Sequence, residues 1–340
     1  MPVLASETNS KNETLLVYLP CYLDYGMAIA QAEKIRSIEK LKSSRIKLKI
    51  QIMFSCNGVE LTSEDRQKIE NLSDNISLLT FGISGDINIT QGFMHAMRIQ
   101  ADYLWILSSN DTVSSSFIET IFEGLIQQSE ANILVACTSS KLGMRRINSV
   151  FDSKNRDVPF GLISSVVYRT KNMEKNFDSA IQMNWTGWGQ LAAIEASCIA
   201  FEGITASLVN EAALYVRSTR TLDNIEDEKN RIRNGYAHSF FGMPIVINTL
   251  HAANPRKRKK YINGWVTSNW YLVNYFLGTN YKLWSSHIAS NQIWLRQFAF
   301  ASIRNASPLH RTIFNLSKFV NVSALSDYRA AQMIRRMFKN

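Results

Sequence analysis

The sequence predicts an α/β protein, a mostly parallel sheet covered by helices. Two observations point there. Short apolar runs alternate with segments of helical period over the first 140 residues. Such repeated β-α units mean a parallel sheet covered by helices. The chain is 340 residues long and 46% apolar, enough for a sizeable core.

In order, TLLVYLP (14–20) reads as a buried strand, AIAQAEKIRSIEKLKSS (28–44) as an amphipathic helix and KLKIQIMFS (47–55) as an alternating strand. A helix over Ser63 to Leu72 precedes the strand ISLLTFG (76–82) and a helix near Thr90 to Ala101. DYLWILS is the next strand. A helix from about Phe117 to Gln128 follows, and then the strand NILVACTS (132–139). In S-F-I-E, Ser116 and Glu119 have capping-box spacing, so that helix is expected to start at Ser116. Beyond Gly161 the rhythm changes. LISSVVYR reads as a strand, NWTGWGQLAAIEASCIA as a helix with an aromatic, glycine-rich lead-in, and LYVRSTRTLDNIEDEKNRIRNG as a strand running into a charged loop.

Composition excludes several classes. No stretch of about 18 apolar residues suits a membrane span, and MPVLASETNSKNE has neither the charged nor the apolar region of a signal peptide, so a cytoplasmic protein is expected. Cys21, Cys56, Cys137 and Cys198 lie far apart in apolar contexts, and the five histidines lack ligand spacing. Neither a disulfide framework nor a zinc site is expected. The net charge of +10 is unevenly spread. Residues 251–340 hold 14 lysines and arginines against one acid, Asp327, a net of +13, while residues 1–250 carry 24 against 27, a net of −3. PRKRKK (255–260) marks this change. Two regions are expected, 1–250 and a basic helical region 251–340.

Parallel sheets bind ligands at the C-terminal ends of their strands. Three polar loops gather there, CYLDYG, CNGVE and SSNDTV. In the last, Asn110 and Asp111 read either as an Asx-type turn or as ligand-holding groups.

Pro20 and Tyr22 in LPCY, Asn57 and Gly58 in FSCNG, Gly85 and Asn88 in ISGDINIT, and Ala101 to Asp111 in ADYLWILSSND follow one another at the spacing of a known family. Over roughly residues 13–220 the chain resembles the GT-A glycosyltransferases of family 2, especially those that build bacterial surface polysaccharides such as O-antigen and capsule. The resemblance implies a Rossmann-like GT-A fold and sugar transfer from a nucleotide-sugar, with inversion. It implies that the SSND corner corresponds to the D-x-D motif, whose carboxylates hold Mg²⁺ or Mn²⁺ against the donor diphosphate. Asp111 is then the metal contact, helped by Ser109 and Asn110. Pro20, Tyr22, Asn57, Asp86 and Asn88 line the nucleoside pocket. The chain departs from the pattern twice: Ser109 replaces the first carboxylate, and Cys56 stands where the family often has an acid.

An inverting transferase also needs a carboxylate base. The lead-in NWTGWGQ, where the family places an acidic pair, has none. Asp178, Glu195, Glu226 and Asp227 are the candidates. Trp185, Trp188 and Gln190 suit an acceptor sugar by stacking and hydrogen bonding, or else pack in the core. The loop from Arg217 to Gly235 is either a diphosphate-binding flap or a solvated loop. The tail combines its charge with Trp265, Trp270, Trp284 and Trp294, the composition of a membrane-interface segment. A peripheral position on the inner face of the cytoplasmic membrane and a lipid-linked glycan acceptor follow as expectations. With no RNP-type signature, nucleic acid is not an expected partner.

Overall fold

The computed structural model describes residues 13–316 apart from 23–24, 43–47, 58–60, 80–84, 109–110, 128–129, 138–141, 156, 211–214, 218–241, 275–297 and 299. The first half alternates β1 (Glu13–Tyr22), α1 (Gly26–Lys42), β2 (Leu48–Asn57), α2 (Ser63–Leu72), β3 (Asn75–Leu79), α3 (Gly85–Arg98) and β4 (Tyr103–Ile106). A three-residue strand β5 (Asp111–Val113) leads into α4 (Ser115–Gln127), β6 (Ile133–Cys137) and β7 (Gly143–Ile147). Then come β8 (Val166–Arg169), the short helices α5 (Thr170–Met173) and α6 (Phe177–Gln182), α7 (Gly189–Ala200), β9 (Ile204–Asn210) and β10 (Tyr215–Arg217). Residues 242–250 are helical (α8), followed by α9 (Pro255–Asn274).

Among the described residues the main sheet has eight strands, in the order β3-β2-β1-β4-β8-β6-β9-β7. β8 runs antiparallel to both its neighbours and β7 antiparallel to β9, while the other six share one direction. The expected α/β, mostly parallel architecture is therefore present. The antiparallel β8 interrupts it because β8 returns from the loop over residues 148–165 rather than through a crossover helix. β9 and the edge strand β7 were not anticipated from pattern. β7 is half exposed and carries two arginines, which masks the apolar signal of a strand.

Side-chain alternation divides the core. Leu15, Val17, Leu19 and Cys21 of β1 join β2 residues Ile50, Ile52 and Phe54 under α1, α2 and α4. Leu16 and Tyr18 face the opposite way, toward Phe93 of α3 and Phe177, Leu191 and Ile194 of α6 and α7. The result is a three-layer α/β/α arrangement. At the strands' far end, Asp102 Oδ2 accepts from Thr14 N at 2.8 Å, and Glu13 accepts from Tyr103 at 2.9 Å and Arg169 at 3.3 Å, tying β1, β4 and β8.

α4 starts one residue before the expected Ser116. Ser114 is its cap, accepting from Phe117 N at 3.1 Å, because β5 ends at Val113 and leaves Ser114 at the turn. The α7 lead-in folds as a 3-10 turn, Asn184–Thr186, closed by Gly187 at φ 76°, a left-handed backbone that favours glycine. Gly189 then permits close packing, since a Cβ there would stand 2.6 Å from Ala180 O.

Residues on both sides of position 250/251 contact α7 and the residues just before it. Val246 and Leu250 of α8 contact Met183 and Ala192, and His251 Nε2 lies 2.8 Å from Glu195 Oε1 of α7. Asn254 caps α9 by accepting from Lys257 N at 3.0 Å, with Pro255 as the first helical residue. Among the described residues no helix is long and apolar enough to cross a membrane. Most of the tail's aromatic segments, including the side chains of Trp270, Trp284 and Trp294, lie outside the described residues.

Trp105 is the largest fully buried side chain, and its Nε1 donates to Ser164 O at 2.9 Å. Trp105→Ala is expected to lower stability by about 3–5 kcal/mol. Trp105→Phe, which mainly deprives a buried carbonyl of its donor, should cost about 1–3 kcal/mol. Urea denaturation of both variants checks the pair.

Candidate functional site

β1, β2 and β4 end at one edge of the sheet. Tyr22 pairs in register with Asn57 at the last residues of β1 and β2. Leu107 N donates to Tyr18 O at 2.9 Å, carrying the β1–β4 pairing one residue past β4, and the chain then turns. Asp111 N donates to Ser108 O at 3.1 Å across that turn. Ser109 and Asn110, between them, lie outside the described residues.

Asp111 is 7% exposed, and its carboxylate is engaged from a distant part of the chain. Ser164, fully buried in the 3-10 turn Ile163–Ser165, donates its hydroxyl to Asp111 Oδ2 at 2.7 Å and accepts from Ser108 N at 3.0 Å. From α1, the Gln31 carboxamide donates to Ser108 O at 3.2 Å and to Asp111 O. Lys34 Nζ donates to Val113 O at 3.1 Å. Asp111 also opens β5, where it pairs with Arg217 of β10. The corner is thus a framed turn, carrying an acidic side chain held by a hydroxyl 53 residues away. Neither Gln31 nor Ser164 stood out in the sequence. A small polar residue before a strand and a glutamine on a helix have no motif signal, and only the chain's crossing makes them neighbours of Asp111.

The remaining residues fall into groups. Pro20 is half-buried and Asn57 buried near this edge. Asp86 begins α3, but its side chain and that of Tyr22 lie outside the described ones. Asn88 is buried, with its carboxamide oxygen accepting from Tyr18 Oη at 3.0 Å and Ser55 Oγ at 2.5 Å. This side chain ties the start of α3 to β1 and β2. Burial pushes the Tyr18 phenol well above its ordinary value, so it stays a proton donor to Asn88. Cys21 and Cys56 are register partners on adjacent strands. A hydrogen bond with Cys21 draws the Cys56 thiol below its ordinary value, against the opposing effect of burial.

Glu195 is 0% exposed. Its Oε2 accepts from Val150 N at 2.8 Å and its Oε1 lies 2.8 Å from His251 Nε2, so its carboxylate joins α7 to the 148–152 loop and the end of α8. Asp178 is exposed in the first turn of α6. Asp227 and Glu226, with the rest of the charged loop beyond Arg217, lie outside the described residues.

Trp188 packs against Gly161 and the core side chains around α7, and Gln190 is buried in the first turn of α7. Trp185 meets Phe298 edge-on at 6.4 Å, joining the lead-in to the C-terminal part of the chain.

Among the described residues no group of three or more His, Cys, Asp or Glu could hold a metal ion. One carboxylate at the sheet edge suits a different case, an Mg²⁺ or Mn²⁺ that keeps waters and takes its other ligands from phosphate oxygens.

No protein-family model matches the chain, and no curated protein matches it. Among solved structures, S. aureus TarS 1-349 is similar at 11% identity and TM-score 0.46, over 89% of this chain and 90% of that one. A mannosyltransferase from Pyrobaculum calidifontis, in complex with GDP-Man and Mn²⁺, is similar at 10% identity and TM-score 0.43, over 91% and 87%. A 4-diphosphocytidyl-2C-methyl-D-erythritol synthase is similar at 12% identity and TM-score 0.37, over 64% and 98%.

Removing either end of the buried Glu195–His251 contact strands the other. Glu195→Ala is expected to cost about 3–5 kcal/mol of stability, and in urea denaturation its effect should not add to that of His251→Ala.

Proposed function

We propose that the chain is a GT-A-type glycosyltransferase of the family 2 kind, moving a hexosyl or related sugar from a nucleotide-sugar to a lipid-linked glycan in bacterial surface polysaccharide assembly. The observation that carries this reading is the buried, Ser164-bonded carboxylate of Asp111 at the C-terminal edge of the sheet, beside the ends of β1 and β2. A Rossmann-like sheet offers a nucleotide its place at that edge.

In this reading Asp111 would hold an Mg²⁺ or Mn²⁺, which would supply positive charge against the departing diphosphate. Pro20, Tyr22, Asn57 and Asp86 border the nucleoside. Trp185, Trp188 and Gln190 fix the acceptor's approach through the α7 lead-in. The acceptor oxygen forms its bond to the anomeric carbon as the bond from that carbon to the phosphate oxygen breaks, which inverts the centre. The acceptor proton passes to a carboxylate. The enclosure of Glu195 favours Asp178, Glu226 or Asp227 for that step.

Position at a membrane surface is supported by α9. Arg256, Lys257, Lys259 and Lys260 are exposed in its first turns, where the helix's own dipole is also positive. Clustered cations there are unfavourable alone and favourable against anionic headgroups. A second reading, a non-catalytic GT-A-like binding or scaffold protein at the membrane, is favoured by the burial of Glu195 and by Ser109 at the first carboxylate position.

In a thermal-shift panel of UDP, GDP, CDP and dTDP, one nucleotide is expected to stabilise the protein in Mn²⁺ and less so with chelator. At 100 times Kd the gain is about 2.7 kcal/mol. Asp111→Asn should lose the Mn²⁺-dependent part and reduce donor turnover by at least about 100-fold. Binding without turnover of any donor, or no shift with any nucleotide, contradicts transfer activity and supports the second reading. Replacing Arg256, Lys257, Lys259 and Lys260 with Glu should remove co-sedimentation with phosphatidylglycerol vesicles; undiminished binding would contradict the membrane role of α9.

A further inference from the structure

We infer that Ser164 is a positioning residue, one whose hydroxyl orients the Asp111 carboxylate for a divalent cation carried on a nucleoside diphosphate, while Gln31 fixes the turn that presents it. The inference rests on the function proposed above and adds to it a residue that no motif marks.

The direction of the hydrogen bonds decides Ser164's role. A hydroxyl has one proton to give. Ser108 N–H points into the Ser164 oxygen at 3.0 Å, and the hydroxyl proton goes to Asp111 Oδ2 at 2.7 Å. An ionised carboxylate accepts such a bond strongly. Ser164 has little freedom of its own, because its carbonyl is held by Trp105 Nε1 at 2.9 Å and Ser165 N donates to Leu162 O at 3.0 Å behind it. A fully buried β4 tryptophan thereby fixes a serine that fixes the acid.

Gln31 acts on the turn itself. Its Nε2 serves the carbonyls of Ser108 and Asp111, the residues on either side of 109–110. Gln31 is 3% exposed, and its Oε1 has no hydrogen-bond partner among the described residues. A carboxylate framed in this way needs little reorganisation when a cation and diphosphate arrive, and the groups that orient a metal ligand strongly affect metal affinity.

The test is equilibrium binding of the full chain to UDP, GDP, CDP and dTDP, each measured with Mn²⁺ and with chelator. For the nucleotide that binds, the ratio of the two affinities isolates the metal-dependent part. Ser164→Ala is expected to reduce that ratio about tenfold and to leave the affinity in chelator near the wild-type value. In an Asp111→Asn background the same substitution should change the ratio no further, because Ser164 acts through Asp111. If Ser164→Ala does not fold, Ser164→Cys, a weak donor of similar size, should also lower the ratio. A wild-type ratio in the folded Ser164 variant overturns the positioning role and leaves the proposed function standing. Wild-type protein that binds a nucleotide with no Mn²⁺-dependent gain overturns the metal-directed role of Asp111 and Ser164 alike. Wild-type protein that binds none of the four overturns the nucleotide reading, and this inference with it.

Discussion

The register of β1 between β2 and β4 is the constraint on which the site depends. β1 is buried on both faces and pairs in parallel with β2 over ten residues and with β4 over four. A one-residue slip would exchange its two apolar faces and expel Tyr18 from its contact with Asn88. Because all three strands run the same way, their ends meet at one edge. Asn57, Tyr22 and the turn before Asp111 are brought there by backbone pairing alone, before any contact between the site's own side chains.

The site is then held by polar groups buried beneath it. Ser55, Tyr18 and Asn88 fasten the start of α3 to the sheet, and Ser164 and Gln31 frame the corner after β4. In a low-dielectric interior such bonds rigidify only when their members are satisfied, and nearly all of these are. Among the described residues Gln31 Oε1 is an exception, on the side chain whose Nε2 donates to Asp111 O. On the far side of α7, the Glu195–His251 contact performs the same task for α8. A carboxylate that sequence reasoning places among possible bases thus belongs to the joint between the sheet and the C-terminal helices.

Much of the first half was legible because its signals are local. β1 and β4 are continuous apolar runs, β2 alternates, and α2 follows Thr62, which caps it by accepting from Asp65 N at 3.1 Å. The corner at residues 108–111 was legible as a break between an apolar run and a capped helix. The short β5 was not, since its three residues are a strand only by pairing with β10, about 100 residues later. Ser164, Gln31 and the role of Glu195 were hidden for a similar reason. Each acts on a residue more than 40 positions away, and nothing in local spacing encodes such a partner. The change of charge at 250/251 is legible in the sequence, whereas the contacts of α8 and α9 with α7 and Phe151 are not, because they join residues far apart in the chain.

In the function proposed above, the framed carboxylate of Asp111 would hold a divalent cation that arrives with a nucleoside diphosphate. Diffraction at the manganese absorption edge, from crystals grown with Mn²⁺ and the nucleoside diphosphate that binds, tests it most directly. The account predicts an anomalous peak within coordination distance of an Asp111 carboxylate oxygen and of the diphosphate, with the Ser164 hydroxyl still bonded to Oδ2. A nucleotide ordered elsewhere on the chain, or a manganese peak away from Asp111, would contradict it.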